Sequence, residues 1–170
     1  MSETKIFYDT DTDLPVSAWD SDLTTGLSAT SALFDNSTSL YMDVMCGGFV
    51  DFTGTSAVAG DTVDIYVVGT YSDTSTDIGG AIDALLGPDG IEAADTSFIR
   101  ANTHLMTSIS LHGTPTTVIG YHWGPIGVAQ FFGGLMPKKF MLICHANTAS
   151  SLTGTTSGNV NTIGVTYKTV

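Results

Sequence analysis

Hydrophobic residues in this chain come in short runs that alternate with polar ones, and Gly, Asn, Asp, Ser or Pro separate the runs. Alternation with period two places side chains on opposite faces of an extended strand, whereas a helix repeats its apolar face about every 3.6 residues. From Leu33 onward the pattern predicts strands at Leu40–Met45, Phe49–Phe52, Thr62–Tyr71, Leu105–Leu111, Thr116–His122, Lys139–His145 and Asn161–Tyr167. Within Val63-Asp64-Ile65-Tyr66-Val67-Val68, the set Val63, Ile65 and Val67 is expected to face a core. Several short strands with turn signals between them point to an all-β fold: a single β-sandwich, with a jelly roll as one fitting topology.

Two segments depart from that pattern. Asp77 to Pro88 carries a capping Asp, apolar positions at Ile78, Ile82, Leu85 and Leu86, and a Gly-Pro stop, which predicts one short helix. A second helical turn is expected over Ile126 to Phe132, between Gly124-Pro125 and Gly133-Gly134. Residues 1–32 hold only scattered anchors, at Ile6, Phe7, Tyr8, Leu14 and Trp19, and read as an extended N-terminal arm before a sandwich domain of 33–170. An arm with so little apolar surface cannot order itself, so Phe7 and Trp19 are expected to hold it on its own domain or on a neighbouring subunit.

Composition sharpens the fold class and narrows the partners. Ser and Thr make up about a quarter of the 170 residues, Gly adds 19, and Glu, Lys and Arg are scarce, a mixture that favours strands and turns over helices. All 17 acidic residues precede Thr96 and are joined there by Lys5 alone, whereas Arg100, Lys138, Lys139 and Lys168 follow it; the two parts carry about −16 and +4. A split of this kind predicts two unlike surfaces, one acidic and turned to solvent. The net charge of −12 argues against nucleic acid and against an acidic bilayer as partners, and no apolar run reaches the length of a membrane helix. Met1 to Asp13 is polar and acidic, so synthesis in a cytoplasm is expected. Cys46 and Cys144 sit in separate apolar stretches and are expected to be buried thiols.

Sites for chemistry are sparse. Asp9-Thr10-Asp11-Thr12-Asp13 alternates carboxylates as a calcium loop does, but it lacks the Gly at the sixth position and the Glu at the twelfth. None of His104, His112, His122 and His145 shares a metal-ligand spacing with another or with a cysteine, and there is no GxSxG nucleophile elbow. On a strand, Cys144 and His145 would point to opposite faces. No catalytic residue, cofactor or metal is therefore expected.

Two stretches carry a resemblance. One is Phe34-Asp35-Asn36-Ser37-Thr38-Ser39-Leu40-Tyr41-Met42-Asp43, followed some twenty residues on by Val63 to Asp73. The other is Gly124-Pro125-Ile126-Gly127-Val128-Ala129-Gln130-Phe131-Phe132-Gly133-Gly134-Leu135-Met136-Pro137-Lys138-Lys139-Phe140-Met141-Leu142-Ile143. Together they resemble a group of small structural proteins of tailed bacteriophages. The resemblance implies a non-enzymatic virion component, a decoration or cement protein that binds the outer surface of the head, with the major capsid protein as partner and self-association, favouring a trimer. It implies the capsid surface of a virion as location. The rivals are a tail, neck or head-fibre component and a glycan-binding host-recognition module displaying Trp19, Tyr71, Tyr121 or Trp123. The candidate interface residues are Phe7, Trp19, Phe131, Phe132, Lys138, Lys139 and Lys168, with the lysines turned toward the capsid. Asp35-Asn36-Ser37-Thr38 is expected to cap its own backbone.

Overall fold

The alternating runs form strands. The computed structural model describes residues 3–16, 19, 28–52, 60–73, 91–92, 103–112, 119–148 and 158–169. Along them run β1 (Thr4–Tyr8), β2 (Thr12–Leu14), β3 (Ser28–Thr30), β4 (Phe34–Asp35), β5 (Asp43–Phe52) and β6 (Thr62–Thr70). There follow β7 (Ile91–Glu92), β8 (His104–Ser110), β9 (Ile119–Gly127), β10 (Lys139–Asn147) and β11 (Gly158–Thr169). The helix expected over Asp77 to Pro88 lies outside the described residues.

Two antiparallel sheets result. The first has the order β1-β11-β5-β9, with β2 lying beyond β1 along the same edge of β11. The second has the order β7-β3-β10-β6-β8, with β4 sharing with β3 one edge of β10. If β1/β2 and β3/β4 each count as one interrupted strand and the two-residue β7 is set aside, eight strands remain. Their orders are first-eighth-third-sixth and second-seventh-fourth-fifth, the winding of a jelly roll.

The sheets bury one apolar layer between them. Val44, Cys46 and Val50 of β5, Tyr121 and Trp123 of β9, and Val160 of β11 meet Val63, Ile65 and Val67 of β6 and Phe140, Leu142 and Cys144 of β10. The expected phase of β6 holds, since Val63, Ile65 and Val67 are fully buried. Both cysteines are free thiols inside this layer.

Residues before Ser31 do more than decorate the domain. β1 and β2 extend the first sheet, β3 extends the second, and Trp19 is completely buried in the common core, where its Nε1 donates to the Ala29 carbonyl at 3.1 Å. Trp19 is thus an anchor within its own domain. The segment has little apolar surface of its own, and it orders by borrowing ladder partners from β11 and β10.

Two expected breaks turn out to be continuous strand. Leu40–Met45 and Phe49–Phe52 belong together in β5, across Gly47-Gly48, and β9 passes through Gly124-Pro125 to Gly127. The two irregularities face each other: the β5–β9 register shifts between Cys46 and Gly48, opposite Trp123 to Ile126. A Cβ on Gly48 would collide with the Asn159 carbonyl oxygen, and one on Gly124 would lie 2.6 Å from the Cys46 carbonyl oxygen, so the bulge needs residues without one there. Proline is tolerated because β9 ends its sheet. The expected helical turn is accordingly shorter, a single 3-10 turn at Ala129–Phe132, with Ile126 and Gly127 still in β9.

Candidate interaction end of the sandwich

The ends of β4, β6, β9 and β11 and the starts of β5 and β10 gather at one end of the sandwich. Lys139, the first residue of β10, is paired with Asp35 and with Thr70, the last residues of β4 and β6. In the other sheet, Asp43 at the start of β5 pairs with Val165 near the end of β11, and Met45 with Gly127 at the end of β9.

The loop Asn36 to Met42 joins the two sheets here. Asn36 is buried, and its amide closes the loop: Oδ1 accepts the Tyr41 N–H at 2.8 Å and Nδ2 donates to the Tyr41 carbonyl at 3.0 Å. The Ser37 N–H donates to Asp35 Oδ1 at 2.8 Å, the self-capping expected of this stretch, and the Ser37 hydroxyl, followed by this N–H, holds the Asp35 carboxyl below its ordinary value. Leu40 takes a left-handed φ of 52°, which a residue with a Cβ adopts at a cost. It stands 71% exposed, beside Met42 at 56%.

Tyr41 ties the loop to the N-terminal strand. Its hydroxyl donates to Asp9 Oδ2 at 2.6 Å, and its ring packs against Gly164, where a Cβ would collide with it. The bond lowers the Asp9 pKa, helped by the Thr10 N–H, and raises that of Tyr41. Lys168 sits close by, with Nζ 5.2 Å from the centroid of the Phe7 ring.

The 3-10 turn forms the other half of the rim. The Ala129 N–H donates to Asp43 Oδ1 at 2.8 Å, and the Val128 N–H to the Val44 carbonyl at 3.0 Å, so the turn is pinned to β5. Phe131 and Phe132 pack half-buried against the core, with His104 edge-on to Phe132 at 5.2 Å between centroids. Gly133 and Gly134 then reverse the chain with φ of 69° and 85°. Leu135 follows, 67% exposed, and the Tyr71 hydroxyl donates to its carbonyl at 2.9 Å.

Of the seven candidate interface residues, Phe7, Phe131, Phe132, Lys138, Lys139 and Lys168 lie at this end, and Trp19 lies in the core. Two of the three lysines, Lys138 and Lys139, have acidic neighbours that their place in the sequence does not suggest. Lys138 Nζ is 2.7 Å from Asp73 Oδ1 and lowers the Asp73 pKa. Lys139 is buried, with Nζ 2.8 Å from the Asp73 carbonyl oxygen and 3.7 Å from Asp35. Lys138 and Lys139 are thus each paired within the rim, which shows solvent the apolar side chains of Leu40, Met42, Tyr71 and Leu135 beside the charged ones of Asp35, Asp73, Lys138 and Lys168.

A second polar arrangement escaped the sequence. Across the far face of the second sheet, Ser28, His145, Asp64 and Ser108 stand side by side on β3, β10, β6 and β8. Ser28 Oγ is 2.7 Å from His145 Nδ1, and the Ser108 hydroxyl donates to Asp64 Oδ1. The residues come from four distant parts of the chain, and no local motif could have announced them. Ser28, His145 and Asp64 are buried and Ser108 is exposed, and Asp64 and Tyr66 are enclosed although they oppose the core-facing set. Among the described residues no three His, Cys, Asp or Glu side chains converge as metal ligands, and no helix is long and apolar enough to cross a membrane.

The glycan-platform residues do not assemble. Trp19, Tyr121 and Trp123 are buried, and of the four only Tyr71 is exposed. No protein-family model matches this chain, and no curated protein matches it.

Proposed function

We propose that this chain is a non-enzymatic structural protein of a tailed-bacteriophage virion, a decoration protein that docks on the outer surface of the head and bridges neighbouring capsid subunits. The observation that carries the reading is the meeting of the resembling stretches. Phe34 to Asp43, Val63 to Asp73 and Gly124 to Ile143 are far apart in sequence, yet parts of all three meet at one rim, bound to one another through Lys138–Asp73, Tyr71–Leu135 and Ala129–Asp43. A rim held this firmly presents Leu40, Met42, Tyr71 and Leu135 with little conformational entropy left to lose on docking. Apolar anchors of this kind carry most of the binding energy of an interface, and repetition over a lattice multiplies a modest single contact.

Quantitative mass spectrometry of purified particles tests the reading. A copy number comparable with that of the major capsid protein is expected. A handful of copies per particle would place the chain at the neck, tail or a head fibre, and absence from particles would end the virion reading altogether.

A further inference from the structure

The inward phase of β11 changes character along the strand. Val160 lies in the core layer, and the pairing of β11 with β5 and β1 runs without a register shift, so alternation puts Thr162, Gly164, Thr166 and Lys168 on the same face as Val160. Only Val160 in that series carries an apolar side chain of the kind a core requires. Over the polar part lies the loop Asn36 to Met42: Tyr41 packs against Gly164, and the Met42 N–H donates to the Val165 carbonyl at 2.9 Å.

Between loop and strands are two adjoining clefts that share Ser39 and Tyr41 in their linings. One, of about 350 Å³, is completed by Tyr8, Asp9, Thr166 and Lys168. To the other, of about 210 Å³, Thr10, Thr12 and Thr162 bring hydroxyls, Asp35 a carboxylate and Phe34 a ring. The larger has the size of a small-molecule cleft, roughly 300–1,000 Å³. No Ala, Val, Leu, Ile or Met lines either one.

That lining selects a class of ligand. Hydroxyls both donate and accept, the Asp9 and Asp35 carboxylates accept, and Lys168 donates, so a matching ligand carries many groups that do both, as sugar hydroxyls do. The rings of Tyr41 and Phe34 suit the C–H faces of a sugar. Charge argues against ionic ligands. Asp9 and Lys168 line one cleft with opposite signs, and an anion would meet Asp9 and Asp35 in a chain of net charge −12. A metal ion would meet Lys168, and among the described residues no three His, Cys, Asp or Glu side chains converge. We infer that the two clefts bind a neutral oligosaccharide, which passes from one to the other beside Tyr41. The bond to Asp9 and the contact with Gly164 already fix Tyr41, so binding has little ordering of this wall to offset. None of these residues belongs to the aromatic platform of Trp19, Tyr71, Tyr121 and Trp123, and neither cleft takes in Leu40 or Met42. The site therefore stands or falls apart from docking on a virion.

Amide NMR spectra of the full isotope-labelled chain, titrated with maltotriose, cellotriose, mannotriose and triacetylchitotriose, test this. One or more of these sugars is expected to bind with a Kd of ~1 mM and to shift amides within 9–12, 39–41 and 162–168. Ser39→Trp places a large ring at the position both clefts share and should abolish the shifts, while Lys168→Ala should weaken binding ~10-fold. Both positions are exposed, so the remaining spectrum should stay that of the parent. Should Ser39→Trp disturb the loop, Lys168→Ala decides alone. No shift from any of the sugars at ~20 mM, shifts confined to other parts of the chain, binding that both substitutions leave intact, or tighter binding of inorganic phosphate at the same amides would overturn the inference.

Discussion

At the scale of single residues, the loop from Asn36 to Met42 shows how one side chain sets a local structure. The Asn36 amide satisfies both main-chain polar groups of Tyr41. Asn36→Ala leaves both groups without that partner and should cost about 1–3 kcal/mol in urea unfolding. Asn36→Asp keeps the acceptor, loses the donor, and should cost less. The Asp9–Tyr41 bond makes a second prediction, and its sign follows from the two shifts. Asp9 is held below its ordinary value of 3.8, so its contribution is present above that pH and is lost as pH falls through the lowered value. Tyr41 is raised above 10.0, so its contribution is present below pH 10 and is lost as pH rises through the raised value. The tie between the loop and the segment after β1 should therefore hold from about pH 4 to pH 10. Hydrogen exchange, corrected for intrinsic rates, should show the amides of β1 losing protection below pH 3.8 before those of β5 and β10 do.

At the scale of elements, alternation was enough to place strands and set the inward face of β6. It did not show which strands continue through glycine and proline. Gly47-Gly48 and Gly124-Pro125 read as stops because each is a turn signal when viewed alone. They are paired irregularities of one bulge, and only the partner strand reveals that. The order of the N-terminal segment likewise depends on partner strands. Its strands are three to five residues long and weakly apolar, and they exist because β10 and β11 offer open edges. The two thiols report on the finished layer. Burial, with some help from the Asp43 charge, pushes Cys46 up to about 12, and burial raises Cys144 as well. With Cys46 on β5 and Cys144 on β10, neither becomes accessible until the sheets part. A thiol reagent at pH 8 should label neither cysteine in the native protein and both in denaturant. Rapid labelling of one thiol under native conditions would mean that the sheets open locally.

At the scale of the whole molecule, six of the seven candidate interface residues were placed at one end, but the sequence could not give the way that end works. Lysines late in an otherwise acidic chain suggested a cationic docking face. The fold brings Asp35 and Asp73 back to Lys138 and Lys139 from far upstream, so the pairing depends on β4, β6 and β10 meeting, which the linear charge pattern does not show. Beside these paired charges the rim offers a partner the exposed apolar side chains of Leu40, Met42, Tyr71 and Leu135. Two substitutions separate these mechanisms. Lys138→Glu breaks an exposed ion pair, a change of about 0–1 kcal/mol in stability, and should leave binding to purified particles within a few-fold of the parent. Leu40→Asp with Leu135→Asp changes two exposed side chains and leaves the core untouched, so melting should move little while particle binding falls ~100-fold, about 2–3 kcal/mol. The reverse result, with binding lost in Lys138→Glu and kept in the double variant, would return docking to charge and leave the exposed leucines without a role in it.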